Sequence, residues 1–252
     1  MEYHTNKNNQ KTGLWPISAE HIAFTLAEVL ITLGIIGVVA ALTIPNLIAN
    51  HNNRVVETKL KKFYTSINQA LTLAEVQYGD KKEWYQDING VETDEEGNII
   101  PGSSAVIKWW NKYLAPYIKT VDIKEDNRGL PTFYFEDGSA LKAIQDNYMR
   151  DWSFYTIDPE KCRKFPLSGG GVCRFDFIYM PGWGNINDIY PDMQYHLNKG
   201  FEPFKYAWDG TRNGLLNGEY GCNENSAVRR YCTALIQYEG WKIPDDYPFK
   251  VK

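Results

Sequence analysis

The sequence predicts an α+β protein in which one long N-terminal helix, apolar on all sides in its first half, packs on a small antiparallel β-sheet head. Three observations lead there. Residues 24–48 carry a single charge, Glu28. From Val56 to Tyr78 apolar residues recur at helical spacing. Beyond Asp80 the chain breaks into short β-prone runs separated by Gly, Pro and Asn.

The first 23 residues have the character of a leader. Thr5 to Gln10 reads TNKNNQ, Gly13 and Pro16 follow, and Lys7 and Lys11 are the only lysines. Residues 24–48 then form a candidate membrane segment. At a rise of about 1.5 Å per residue, Phe24 to Ile44 makes a helix of roughly 31 Å, which matches a hydrocarbon core of about 30 Å. Burial in a soluble core is the alternative. Pro45 lacks an N–H and crowds the preceding turn, so a helix kink is expected there. Residues 49–79 continue the helix with one apolar stripe: Val56, Leu60, Phe63, Ile67, Ala70, Ala74 and Tyr78. Lys59, Lys61, Lys62 and Glu75 fall off it, and Gly79-Asp80 is the stop signal.

Residues 80–252 make the head. Glu92 to Gly102 (ETDEEGNIIPG) reads as a hairpin or solvated loop, because its carboxylates lack the spaced ligands of a calcium loop. Ala105 to Ile118 is a short helix carrying Trp109 and Trp110. Thr132 to Ile144 is the clearest hairpin, turning through Asp137-Gly138. Long ordered loops are expected over 162–221, with Cys173 to Met180 the best strand among them. The four cysteines fall as two local pairs, 11 and 10 positions apart. Four cysteines allow three connectivities. The local pairing Cys162–Cys173 and Cys222–Cys232 is favoured, and downstream of a membrane segment it implies an oxidising compartment.

Little in the chain points to catalysis. There is no G-x-S-x-G, no phosphate-binding G-x-x-x-x-G-K-[ST] and no H-E-x-x-H. Ser168 precedes Gly169-Gly170-Gly171 without the pattern of a nucleophile elbow, and Asp245-Asp246 reads as a solvated loop. His4, His21, His51 and His196 are scattered and read as surface or capping residues, so no metal and no cofactor is expected. A net charge of −4 argues against long-range attraction to nucleic acid, with Arg229 and Arg230 the local exception.

Ala23-Phe24-Thr25-Leu26-Ala27-Glu28, running into VLITLGIIGVVAALTIPNLI, resembles the N-terminal signature of type IV pilins and the pseudopilins of type II secretion. The resemblance covers roughly residues 23–78, with Ala23 standing where these proteins most often have glycine. It implies a pilin-like fold and a structural role, not an enzyme. A prepilin peptidase would cut between Ala23 and Phe24 and N-methylate the new amine of Phe24. Glu28 would serve assembly by pairing with that amine on a neighbouring subunit, since an unpaired charge in low dielectric is costly. Gly34 and Gly37 would let helices approach closely. Implied partners are other pilin or pseudopilin subunits, an inner-membrane assembly platform and the membrane itself, crossed once, with the head periplasmic or extracellular. A large head with irregular loops suggests a minor subunit. Two alternatives stand beside this reading. One is a protein released by signal peptidase near Ala41 or Leu42. The other is a membrane-anchored binding or adhesion protein displaying Trp183, Tyr190, Tyr195 and Trp208.

Overall fold

A computed structural model describes residues 1, 25–84, 90–144, 150–182 and 191–252. Ala23 and Phe24, the proposed cleavage position, lie outside the described residues, as do Trp183, Tyr190, His4 and His21. The chain divides into two compact units, Met1–Asn46 and Leu47–Lys252.

Helix α1 runs from Leu26 to Tyr78, 53 residues, and passes through Pro45 without ending. In the first unit most of its side chains are apolar and exposed, with a mean hydropathy of 2.3 over the most apolar 18-residue window. In the second unit the helix becomes one-sided. Val56, Leu60, Phe63, Ile67, Ala70, Leu71 and Ala74 are buried, and Tyr78 packs partly buried against the same core. The stripe read from sequence is therefore the packed face, with Leu71 added to it.

That face covers a six-stranded antiparallel meander whose spatial order is its chain order. The strands are β1 (Asp122–Glu125), β2 (Pro131–Tyr134), β3 (Ala140–Ala143), β4 (Asp151–Tyr155), β5 (Arg174–Tyr179) and β6 (Phe201–Pro203). Because side chains alternate along a strand, register sorts them onto two faces. Phe133, Leu141, Phe154 and Phe175 stand opposite one another across β2 to β5, and all four belong to the core that holds the α1 stripe. Phe63 stacks on Phe154 at 4.4 Å and meets Phe177 edge-on at 5.1 Å. Burying each large side chain of the stripe contributes about 1.5–3 kcal/mol. The short helix Ala105–Tyr113 adds to this core: Trp110 stacks on Phe133 at 4.1 Å and Trp109 sits 5.4 Å from Tyr179.

Two disulfides close the loops next to the sheet, Cys162–Cys173 and Cys222–Cys232. Gly169 and Gly171 lie against them with φ of +76° and +72°. A Cβ on Gly169 would meet both sulfurs of the first bridge within 2.5 Å, and one on Gly171 would meet Cys232 Sγ at 2.7 Å. Both the backbone conformation and the space thus call for glycine.

Candidate functional site

The start of α1 is built by a local exchange of hydrogen bonds. Glu28 Oε2 accepts from the Thr25 backbone N–H and from the Thr25 hydroxyl, both at 2.8 Å. Thr25 Oγ1 in turn accepts from the Glu28 backbone N–H at 3.2 Å. This is a capping box, in which a Thr and a Glu three residues later satisfy donors that a helix start leaves unpaired. Thr25-x-x-Glu28 before an apolar run carries the sequence signature of such a box, which the reading of Glu28 as an assembly residue alone omits. Glu28 is exposed, as are Thr25 and Leu26.

The apolar segment behind it leaves an unusual surface. Leu30, Ile31, Leu33, Ile35, Ile36 and Val38 are each about 60% exposed. Soluble monomers rarely leave so large an apolar patch open, and one this size marks contact with lipid or with protein. Added Cβ atoms on Gly34 and Gly37 would meet nothing within 4 Å. The segment is long and apolar enough to cross a membrane.

In the second unit, polar groups tie α1 to the sheet and to the chain end. Lys59, off the apolar stripe, donates to the backbone carbonyls of Asp137 and Thr156, both at 2.8 Å. Asn68 Nδ2 donates to Phe201 O on β6 at 2.9 Å. Glu57 accepts from Lys242 Nζ and from Ile243 N, each at 2.9 Å. Tyr64 donates its phenol to Glu202 at 2.9 Å, and burial, reinforced by that carboxylate, pushes its pKa up to about 12.

Other sequence expectations resolve one at a time. His196 is not a surface residue but fully buried. Its Nε2 accepts from Lys205 N at 3.3 Å, and burial, helped by Lys199, Lys205 and Arg150, holds its pKa down at about 3. Tyr195 and Trp208 are half-buried and meet edge-on at 5.8 Å, with Trp208 donating to Thr211 O. They pack the loop and present no open aromatic shelf. Asp94 spends its carboxylate on the turn of 94–98, accepting from the backbone N–H groups of Glu96 and Asn98. Among the described residues no group of three or more His, Cys, Asp or Glu could hold a metal ion. Asp245 and Asp246 are exposed, as read from the sequence, and Asp246 also pairs with Arg212 at 2.8 Å. Arg230 is drawn into ion pairs with Asp151 and Asp176, which lie 79 and 54 positions away along the chain. No local pattern signals such pairs.

Comparison with known proteins places the chain only coarsely. No curated protein and no solved structure matches it. One family does match, over residues 46–251, nearly the whole of the second compact unit. By that match the chain belongs to DUF6613, a family of unknown function.

Proposed function

We propose that this protein is a structural subunit, minor or large, of a type IV pilus or a type II secretion pseudopilus. The observation that carries the reading is Glu28, placed four residues after Phe24 at the head of an apolar helix that becomes one-sided and packs on an antiparallel sheet. The apolar half of α1 would wait in the inner membrane, spanning it once, and move into a helix bundle on assembly. The sheet-bearing unit would stand on the periplasmic or extracellular side, where its two disulfides are stable. Cleavage before Phe24 by a prepilin peptidase leaves Thr25 and Glu28 together in the mature chain, so the capping box survives processing. Within the filament Glu28 pairs with the methylated Phe24 amine of a neighbour.

The test has two arms. Mass spectrometry of the N-terminal peptide from the native host should find N-methylated Phe24. An intact Met1, or a start near Leu42, would replace the proposal with a membrane-anchored or secreted binding protein. Glu28→Ala removes both the charge and the cap, whereas Glu28→Gln keeps the hydrogen bonds of a capping box and removes only the charge. Both variants should insert in the membrane and fail to enter sheared filaments. Normal incorporation of Glu28→Gln would rule out the charge pair as the assembly device.

A further inference from the structure

The outer face of the sheet, away from α1, carries a polar row at one register. Thr132, Lys142, Ser153 and Asp176 stand opposite one another across β2, β3, β4 and β5. Over that row opens a cavity of about 320 Å³ whose charged lining is Arg128, Lys142, Arg174 and Arg230 against the single acid Asp176. In a chain of net charge −4 this is a concentrated basic site.

The floor is prearranged. Asp176, 4% exposed, accepts from the Ser153 hydroxyl at 2.6 Å and pairs with Arg174 at 3.5 Å and with Arg230 Nε at 3.3 Å. Arg230 Nη1 reaches Asp151 at 3.4 Å, and its guanidinium lies 3.7 Å from the centre of the Phe204 ring. Asp151 is already held by Arg150 at 2.9 Å, and Asp126 is shared by Arg128 and Lys142 at 3.4 and 3.1 Å. Each nearby carboxylate therefore serves more than one cation. One buried guanidinium nitrogen, Arg230 Nη2, still has no hydrogen-bond partner, and Arg174 Nε has only its long 3.5 Å ion pair with Asp176. A buried donor left unsatisfied is costly, and a guanidinium fork suits an oxyanion with several acceptor oxygens.

We propose that this cavity binds a phosphate group, as inorganic phosphate or as a phosphate monoester, with Arg174 and Arg230 as its principal donors and Lys142 adding charge. The site is independent of the pilus reading, since every residue in it belongs to the second compact unit. The experiment is calorimetric titration of the full chain in a neutral maltoside detergent with inorganic phosphate and, separately, with glycerol 3-phosphate. Saturable one-to-one binding that weakens with added sodium chloride is expected. Arg230→Lys keeps the charge and loses the fork, so binding should weaken about tenfold. Lys142→Gln, at a partly buried position, should weaken it about threefold, and this variant decides the matter if Arg230→Lys fails to fold. Tighter binding of the ester identifies a phosphate-bearing molecule, and equal binding identifies free phosphate. Absence of saturable binding to both probes, or affinity unchanged in the folded variants, overturns the proposal.

Discussion

From Leu26 to Ile48 nearly every side chain of α1 stands in the open, while from Val56 to Ala74 the same helix buries one face, from Val56, Leu60 and Phe63 to Ala70, Leu71 and Ala74. The two stretches belong to one helix, which continues through Pro45 although that residue has no N–H to donate. They differ in how apolar residues are arranged. A helix apolar all round has no face to choose and needs lipid or other helices on every side. A helix with one stripe chooses a single partner, and here the partner is the inner face of the meander. Hydrophobicity summed over a segment and hydrophobicity given a period thus specify different environments.

Substitutions in the two stretches can break this contrast, and unfolding of the sheet-bearing unit in detergent, followed by near-ultraviolet circular dichroism, is the common measure. Phe63→Ala should act most strongly. Phe63 is stacked on Phe154 and edge-on to Phe177, and its loss should cost about 3–5 kcal/mol. A change below about 1 kcal/mol would mean that the packing of α1 on the sheet contributes little.

Acid should act next, through His196. Its folded pKa of about 3 lies below the ordinary 6.5, so the unfolded chain takes up a proton that the folded chain refuses as pH falls from 6.5 toward 3. Stability is unaffected by this group above 6.5 and declines below it by about 1.4 kcal/mol per pH unit. Between pH 7 and 4.5 that is roughly 2–3 kcal/mol, and His196→Asn should flatten the decline by that amount. An equal decline in both proteins would show that carboxylates alone set the acid sensitivity.

Lys59→Met should cost about 1–3 kcal/mol, because it strips a donor from two carbonyls at once. Thr25→Ala removes half of the capping box and should cost about 1 kcal/mol, read as faster amide exchange in the first turn of α1 while the sheet-bearing unit unfolds unchanged. Ile36→Ala, in the exposed stretch, should move unfolding of that unit by less than about 0.5 kcal/mol. A large effect there would mean that the two stretches do not differ as described.

What the sequence made legible follows from the same physics. The long helix, its stripe, the β2–β3 hairpin at Asp137-Gly138 and strand β5 each carry a local signal, either a period or a turn. The close spacing of the cysteines likewise favoured the pairs the structure joins. Strand β4 had no such signal: Asp151, Trp152, Ser153 and Phe154 are all buried, so the alternation that betrays a half-exposed strand is missing. Strand β1 is short and charged, as an edge strand can be. The basic cavity was illegible for another reason. Lys142 and Arg174 are placed by strands β3 and β5, whereas Arg128 and Arg230 come from segments outside the sheet, so no local pattern links the four. At the other end of the protein, Glu28 was legible twice over, and the two readings concern different moments in its history.

Under the proposed function those two readings give the capping box an energetic meaning. A carboxylate that already accepts two hydrogen bonds within its own chain does not wait unpaired for a neighbour. In the proposed filament a neighbour's amine would make Glu28 exchange partners, and the free energy released would be the difference between two satisfied states. Such a joint, built on exchange, would close with a modest gain and reopen at a modest cost.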